Sequence, residues 1–133
     1  MKIVINRCFG GFSLSPLAVK EYLKRKGKGC FCYNVFDEKM KRTDIENANL
    51  FVVYSTKNLG EEITWEDLGD SCFREREIPR DDTDLIEVVE LLKEKANGAC
   101  ASLSIVKIPD GIEWEISEYD GLETVEEKHR SWC

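Results

Sequence analysis

Short apolar stretches rich in β-branched and aromatic residues recur along the chain and predict its strands. The stretch "KIVIN" at residues 2–6 precedes a Gly-Gly pair and predicts a buried first strand. The stretch "NLFVVYST" at residues 49–56 predicts another buried strand, and "CFCYNVF" at residues 30–36 has strand propensity. Residues 37–49 are mostly polar and show no clear period, so they permit no prediction.

Two segments have the apolar spacing of amphipathic helices. Ser15 followed by Pro16 is typical of a helix start, because serine caps free N–H groups and proline needs no donor there. Apolar residues follow at helical spacing, and Gly27 ends the helix. The stretch "DDTDLIEVVELLKEKANG" at residues 81–98 predicts a second helix, with capping side chains at its start and a glycine at its end.

The last third of the chain contains two Asp-Gly pairs, which are strong turn signals. Asp110-Gly111 lies between two strand-like stretches, residues 102–109 and 112–119, and therefore predicts a β-hairpin. Asp120-Gly121 is expected to turn the chain into a short last helix, "LETVEEKHRSW". The whole pattern predicts a single α+β domain over residues 1–133, a mostly antiparallel sheet with about three helices packed on it.

Residues 57–80 are predicted to be mostly irregular, and their charges cluster in "REREIPRDD". Irregular segments of this length are uncommon within a compact domain and are often functional. This segment is therefore a candidate region for binding.

Composition and charge narrow the classes of function. The chain is 42% hydrophobic and 34% charged, as in globular proteins, and no apolar run is long enough to span a bilayer. No signal peptide is recognisable, so we expect a cytoplasmic protein. The net charge of −7 argues against nucleic-acid binding, because proteins that bind nucleic acids need a basic face.

The six cysteines are irregularly spaced and include one Cys-x-Cys, at Cys30 and Cys32, with no Cys-x-x-Cys. Zinc sites usually combine two such pairs, or one pair with histidines, and His129 is the only histidine. We therefore expect reduced, partly buried thiols, with neither a metal nor another cofactor.

The glycine loop, residues 7–16, joins the first strand to the first helix. It matches neither the Walker A pattern nor the dinucleotide fingerprint. Gly10 and Gly11 can still offer backbone N–H groups to an anion, and Phe9 and Phe12 can stack on a base. The alternative is that the glycines only provide positive φ in a tight connection while the phenylalanines pack into the core.

Arginines supply the second set of candidate ligand groups. Arg7 lies in the glycine loop, and Arg74, Arg76 and Arg80 lie in the charged segment. Planar guanidinium groups suit phosphate, whereas the neighbouring acidic residues favour internal ion pairs as the alternative.

The C-terminal stretch supplies the third set, namely His129, Arg130 and Trp132. His129 can act as a general base if a carboxylate such as Asp120 orients it. No nucleophile elbow or metalloprotease motif accompanies this histidine, and a structural role is the alternative.

The stretches "INRCFGGFSLS", "EIPRDD", "LIEVVELL", "ANG" and "IPDGIEWEISEYDGLETVEEKHRSW" resemble a family of small, uncharacterised proteins encoded widely in bacteriophage and prophage genomes. The resemblance covers roughly residues 2–27 and 77–132, and the "EYDG…HR.W" block is its most specific part. Phe9 replaces the tyrosine of that family, and Thr83 replaces a proline. The family brings no settled activity, but a phage origin implies action on molecules of the host.

These observations predict a non-enzymatic phage binding protein in the host cytoplasm, which antagonises host defence. Its ligand is expected to be small and phosphorylated, such as a cyclic nucleotide immune signal. A homo-oligomer is expected, since binding sites in small binders often form between subunits. The alternatives are an acidic inhibitor of a host or defence protein and a small nucleotide hydrolase that uses His129.

Overall fold

The computed structural model describes residues 1–49, 51–99 and 101–127, and its fold is α+β, as predicted. Every strand pair it contains is antiparallel. The helices are α1 (Pro16–Arg25), α2 (Trp65–Leu68) and α3 (Thr83–Leu92). The strands are β1 (Lys2–Asn6), β2 (Phe31–Phe36), β3 (Lys39–Thr43), β4 (Val52–Ser55), β5 (Glu62–Thr64), β6 (Cys72–Phe73), β7 (Leu103–Lys107), β8 (Trp114–Tyr119) and β9 (Leu122–Glu127).

The central sheet has five strands in the order β5-β3-β2-β4-β6. Side chains alternate between its two faces, so each face forms its own apolar cluster. Cys32 and Tyr54 lie on the face that joins the apolar stripes of α1 and α3. Tyr33 and Met40 lie on the opposite face, where they pack with Ile63 and Leu68.

Both long helices begin where the sequence predicts. The Ser15 side chain accepts a hydrogen bond from the Ala18 N–H at 3.2 Å, and Pro16 is the first helical residue. The Asp82 carboxylate caps α3 by accepting from the N–H groups of Asp84 and Leu85. These caps satisfy N–H groups that a helix cannot pair internally.

The predicted hairpin around Asp110-Gly111 is wrong. β7, which precedes this turn, pairs with β1, and β8 pairs with β9 around Asp120-Gly121 instead. Both Asp-Gly turns contain a glycine with positive φ, so local turn propensity does not select the partner of β7. Packing selects β1 as the partner of β7, because the β1 residues Ile3, Val4 and Ile5 are buried beside β7.

The predicted last helix is also wrong over the part that is described, since residues 122–127 form β9. In this strand Leu122, Thr124 and Glu126 lie on one face, and Glu123 and Val125 lie on the other. Pairing with β8 on the opposite side of the Asp120-Gly121 turn satisfies the backbone of this segment.

Residues 57–80 contain more regular structure than predicted, namely β5, α2, β6 and two short 3-10 helices. A capping box starts α2, because the Thr64 side chain accepts from the Asp67 N–H and the Asp67 carboxylate accepts from the Thr64 N–H. None of the described helices has the length and apolar character needed to traverse a bilayer.

Candidate functional site

The glycine loop is held against the turn between β8 and β9. Gly10 and Gly11 have φ values of 122° and 97°, as a tight connection requires. The Gly10 N–H donates to the Asp120 carbonyl oxygen at 3.3 Å. A Cβ placed on Gly121 would lie 2.2 Å from the Gly11 nitrogen, so the two backbones are in direct contact. The Gly10 N–H, one of the donors that could face an anion, therefore faces the chain itself.

Two of the predicted arginines do reach the glycine loop, where they surround Phe12. The Nε of Arg76 donates to the Phe12 carbonyl oxygen at 3.2 Å. The guanidinium carbon of Arg80 lies 3.7 Å from the centroid of the Phe12 ring, in a cation–π arrangement. Because Phe12 is only 3% exposed, its ring packs in the core.

Arg80 also forms a buried ion pair with Glu123, a residue that sequence reasoning missed. Their Nη1 and Oε1 atoms are 2.5 Å apart, and their side chains are only 14% and 4% exposed. The same Glu123 oxygen accepts from the Asn6 N–H at 2.8 Å, and the Asn6 side chain donates to the Gly121 carbonyl oxygen at 2.8 Å. This network ties β1 to β9, which makes a structural role for Arg80 evident.

Arg7 and Phe9 are exposed. Arg7 lines an open depression of about 450 Å³ beside Leu122 and Val125. The other predicted candidates, His129, Arg130 and Trp132, lie outside the described residues, and their roles stay predictions.

A groove beside β6 is lined by Arg74 and by Arg76 of the charged segment. We call it the aromatic groove; it has a volume of about 360 Å³. Its lining includes the aromatic residues Trp65 and Phe73, the apolar Val53, and the arginines Arg74 and Arg76. Arg76 connects the aromatic groove to the glycine loop through its bond to Phe12.

Local structure explains why Trp65 and Arg74 are available in this groove. The capping box makes Trp65 the first residue of α2, and its side chain remains 51% exposed. Arg74 follows the short edge strand β6, and its Nη1 lies 3.7 Å from Glu77 Oε1. The two side chains are 71% and 73% exposed, so water screens this pair and leaves the guanidinium group accessible.

Two acidic side chains also line the aromatic groove. Glu75 is half-buried, and burial raises its pKa above the usual value. Burial raises the pKa of the neighbouring Tyr54 hydroxyl as well, with a further contribution from the Glu75 charge. The groove thus combines one weakened acid with the exposed cation of Arg74.

The described cysteines are free thiols, and Cys8, Cys30 and Cys72 are partly buried while Cys32 is buried. The expected partial burial is therefore confirmed for Cys8, Cys30 and Cys72. Over residues 1–49, 51–99 and 101–127, no group of three or more His, Cys, Asp or Glu side chains is arranged to hold a metal ion.

Comparison with known proteins gave no match to a protein-family model, a curated protein or a solved structure. What the chain binds must therefore be inferred from its own side chains. Those of the aromatic groove combine the aromatic rings of Trp65 and Phe73 with the exposed cation of Arg74.

Proposed function

We propose that this chain is a phage-encoded, non-enzymatic protein that binds and sequesters a small phosphorylated ligand, such as a cyclic nucleotide immune signal. The observation that carries the proposal is the aromatic groove, where the exposed Trp65 ring and the exposed Arg74 guanidinium group line one cavity. The proposed setting is the cytoplasm of an infected bacterium, which rests on the resemblance of residues 2–27 and 77–132.

The groove has the chemistry that such a ligand requires. Its volume of about 360 Å³ falls within the usual range of small-molecule sites, roughly 300–1,000 Å³. An indole ring can stack on a nucleobase, and a guanidinium group can form two parallel hydrogen bonds to a phosphate. Arg76 lines the same cavity, and the bond from its Nε to the Phe12 carbonyl oxygen holds its guanidinium group against the glycine loop.

The glycine loop supports the proposal less well than the groove does. Its Gly10 N–H is bonded to Asp120, and Arg80 is paired with Glu123. Moving Arg80 to a ligand would leave a buried carboxylate without its partner, which costs several kcal/mol. We therefore place the ligand in the groove and treat the loop as its support.

The test is recovery and titration of the ligand. Protein purified under native conditions is heated, and the released small molecules are identified by mass spectrometry; cyclic mono- and dinucleotides are then titrated by calorimetry. Arg74→Ala should weaken binding by about ten-fold or more, since a hydrogen bond to a charged group contributes roughly 1.5–3 kcal/mol. Trp65→Ala should weaken it to a similar extent, since stacking of a base on an aromatic ring contributes roughly 1–3 kcal/mol.

Matched controls come from the glycine loop. Phe9 is exposed like Trp65, and Arg7 is exposed like Arg74. Phe9→Ala and Arg7→Ala should leave the affinity unchanged within two-fold. If only these two variants lose binding, the ligand binds at the glycine loop and not in the aromatic groove. If none of the nucleotides binds the wild-type protein, the proposal is wrong.

A second candidate function, inhibition of a basic host or defence protein, is favoured by the charge of the β8–β9 hairpin. Every charged residue from Asp110 to Glu127 is acidic. Glu115 and Glu126 lie directly opposite each other on the two strands, and both are exposed. Like charges in this position destabilise a hairpin, and a basic partner would relieve their repulsion.

Glu126→Lys separates this candidate from the first. It places opposite charges across the strands, so it should stabilise the protein by about 0.2–1 kcal/mol while it weakens capture of a basic protein from host lysate. Capture should be stoichiometric and lost at high salt. The affinity of Glu126→Lys for nucleotides should equal that of the wild type. If Glu126→Lys captures the partner as well as the wild type does, this candidate function is contradicted.

A further inference from the structure

Among the described residues, β7 pairs with β1 on one side only, and the hydrogen bonds at both ends of this pair show which backbone groups of β7 face away from β1. At one end, the Met1 amino group donates to the Ile108 carbonyl oxygen and the Ile108 N–H donates to the Met1 carbonyl oxygen, both at 2.9 Å. At the other end, the Arg7 N–H donates to the Ser102 carbonyl oxygen at 2.8 Å. Bonded and non-bonded residues alternate along an antiparallel pair, and this register contains no bulge. The even-numbered residues of β7 therefore bond to β1, and the odd-numbered residues direct their backbone groups outward.

Two of these outward residues, Ile105 and Lys107, have unpaired backbone groups. Within residues 1–49, 51–99 and 101–127, neither residue has a hydrogen-bond partner for its N–H or its carbonyl oxygen. Leu103 differs, because its N–H donates to the Asn97 side chain at 2.8 Å. The Ile105 side chain is partly buried and the Lys107 side chain is exposed. The outer edge of β7 thus offers a free donor and a free acceptor at each of two positions that lie two residues apart.

We propose that this edge pairs with the same edge of a second copy of the chain, in an antiparallel arrangement with Val106 opposite the partner's Val106. Ile105 then lies opposite the partner's Lys107, and the two residues exchange N–H···O bonds in both directions. The two-fold axis repeats this exchange between Lys107 and the partner's Ile105. Two bonds form in each of two symmetric pairs, so every free donor and acceptor of Ile105 and Lys107 in both copies is satisfied.

Complementarity of the edge to itself makes a second copy the occupant. An unpaired edge strand is a template for another strand, but most edge strands of this chain are unsuited to self-pairing. Strands β5 and β6 have only three and two residues, and the charged residues of β8 are all acidic, so two copies of β8 would repel each other. In β7 the single charged residue, Lys107, lies opposite an isoleucine. The two Val106 side chains meet at the axis, in the pair type whose Cα atoms are about 4.5 Å apart.

Pairing of this kind joins two β1–β7 pairs into one four-stranded sheet. Val106 also lines the open depression that contains Arg7. Because the two-fold axis is perpendicular to the sheet, the depressions of both copies lie on the same face, with the valine pair between them. The dimer therefore has a composite surface that a single copy lacks. No residue of β7 lines the aromatic groove, so the proposal is independent of what that groove binds.

Sedimentation equilibrium tests the proposal. The interface is small, so we expect a weak dimer with a dissociation constant of about 10 μM to 1 mM. Lys107→Pro removes two of the interchain donors while it keeps the bonds to β1, because proline is tolerated where the N–H of an edge strand faces outward. This variant should dimerise at least about ten-fold more weakly. Lys107→Ala, the matched control, keeps the N–H and should dimerise as the wild type does, within about three-fold.

Amide hydrogen exchange locates the interface on the unmodified protein, so this measurement needs no variant to fold. The Ile105 and Lys107 amides should exchange several-fold more slowly as the concentration rises from about 50 μM to 1 mM. The Val106 amide is bonded to β1 and should exchange at the same rate throughout. The proposal is overturned if the wild type is monomeric at about 1 mM, or if Lys107→Pro dimerises as tightly as the wild type. It is also overturned if a dimer forms while the exchange of the Ile105 and Lys107 amides is independent of concentration.

Discussion

The buried pair of Arg80 and Glu123 should contribute more to stability than any exposed ion pair of this chain. Glu123→Ala removes the acceptor of two donors, the partly buried Arg80 Nη1 at 2.5 Å and the buried Asn6 N–H at 2.8 Å. No water replaces it readily, because the Glu123 side chain is 4% exposed. The substitution therefore leaves a cation and a backbone donor without their partner.

The expected loss in free energy of unfolding is about 3–5 kcal/mol, the range for removing one partner of a buried ion pair. Urea unfolding followed by circular dichroism measures it. With a denaturant slope near 2 kcal/mol/M, the midpoint should fall by about 2 M. The double variant Arg80→Ala, Glu123→Ala should lose less than the sum of the two single losses, because the second substitution removes the charge that the first left unpaired.

Glu77→Ala is the matched control for Glu123→Ala. Glu77 pairs with Arg74 at 3.7 Å, but both side chains are largely exposed, so the loss should stay below about 1 kcal/mol. Equal losses in the two variants, or strictly additive losses in the double variant, would refute the assignment of a structural role to the buried pair.

Two further predictions concern a turn and a helix cap. Gly121→Ala should lower the free energy of unfolding by at least about 2 kcal/mol, since the added Cβ would clash with the Gly10 and Gly11 nitrogens and Gly121 has a φ of 90°. At the control position Gly111, φ is similar at 81° but an added Cβ meets no atom within 4 Å, so Gly111→Ala should lose only about 1 kcal/mol in thermal or urea unfolding. Equal losses in the two variants would contradict the close approach at Gly121. Asp82→Asn keeps the cap of α3 but loses the charge: although burial opposes ionisation, hydrogen bonds from Leu85, Lys26 and Tyr22 hold the pKa of Asp82 below its usual value. The wild type should therefore be more stable than this variant by roughly 0.5–1 kcal/mol at pH 7. The difference should vanish as the pH falls from about 4 through the lower pKa that Asp82 has in the folded protein. A difference that persists at pH 2 would contradict this.

Local signals predicted the elements that depend on local chemistry. The serine-proline start of α1 and the Asp82 cap of α3 act on N–H groups within the next turn of the same helix, so both positions were readable from the sequence. The positive φ values of Gly10 and Gly11 follow from the same kind of signal. The sequence also singled out the arginines of the charged segment, but it left open whether they face a ligand or the chain.

Partners distant in sequence decided the rest. β7 has two flanking segments that could serve as strands, and only packing against the apolar β1 selected its partner. Glu123 looks like any other acid of the hairpin until β9 folds back onto β1 and buries it against Arg80. By itself the sequence thus determined the starts of the two long helices, the glycine turns and the α+β class, whose causes act over a few residues. Tertiary structure alone decided which charges are buried and which remain free in the aromatic groove, because burial depends on contacts between segments far apart in the chain.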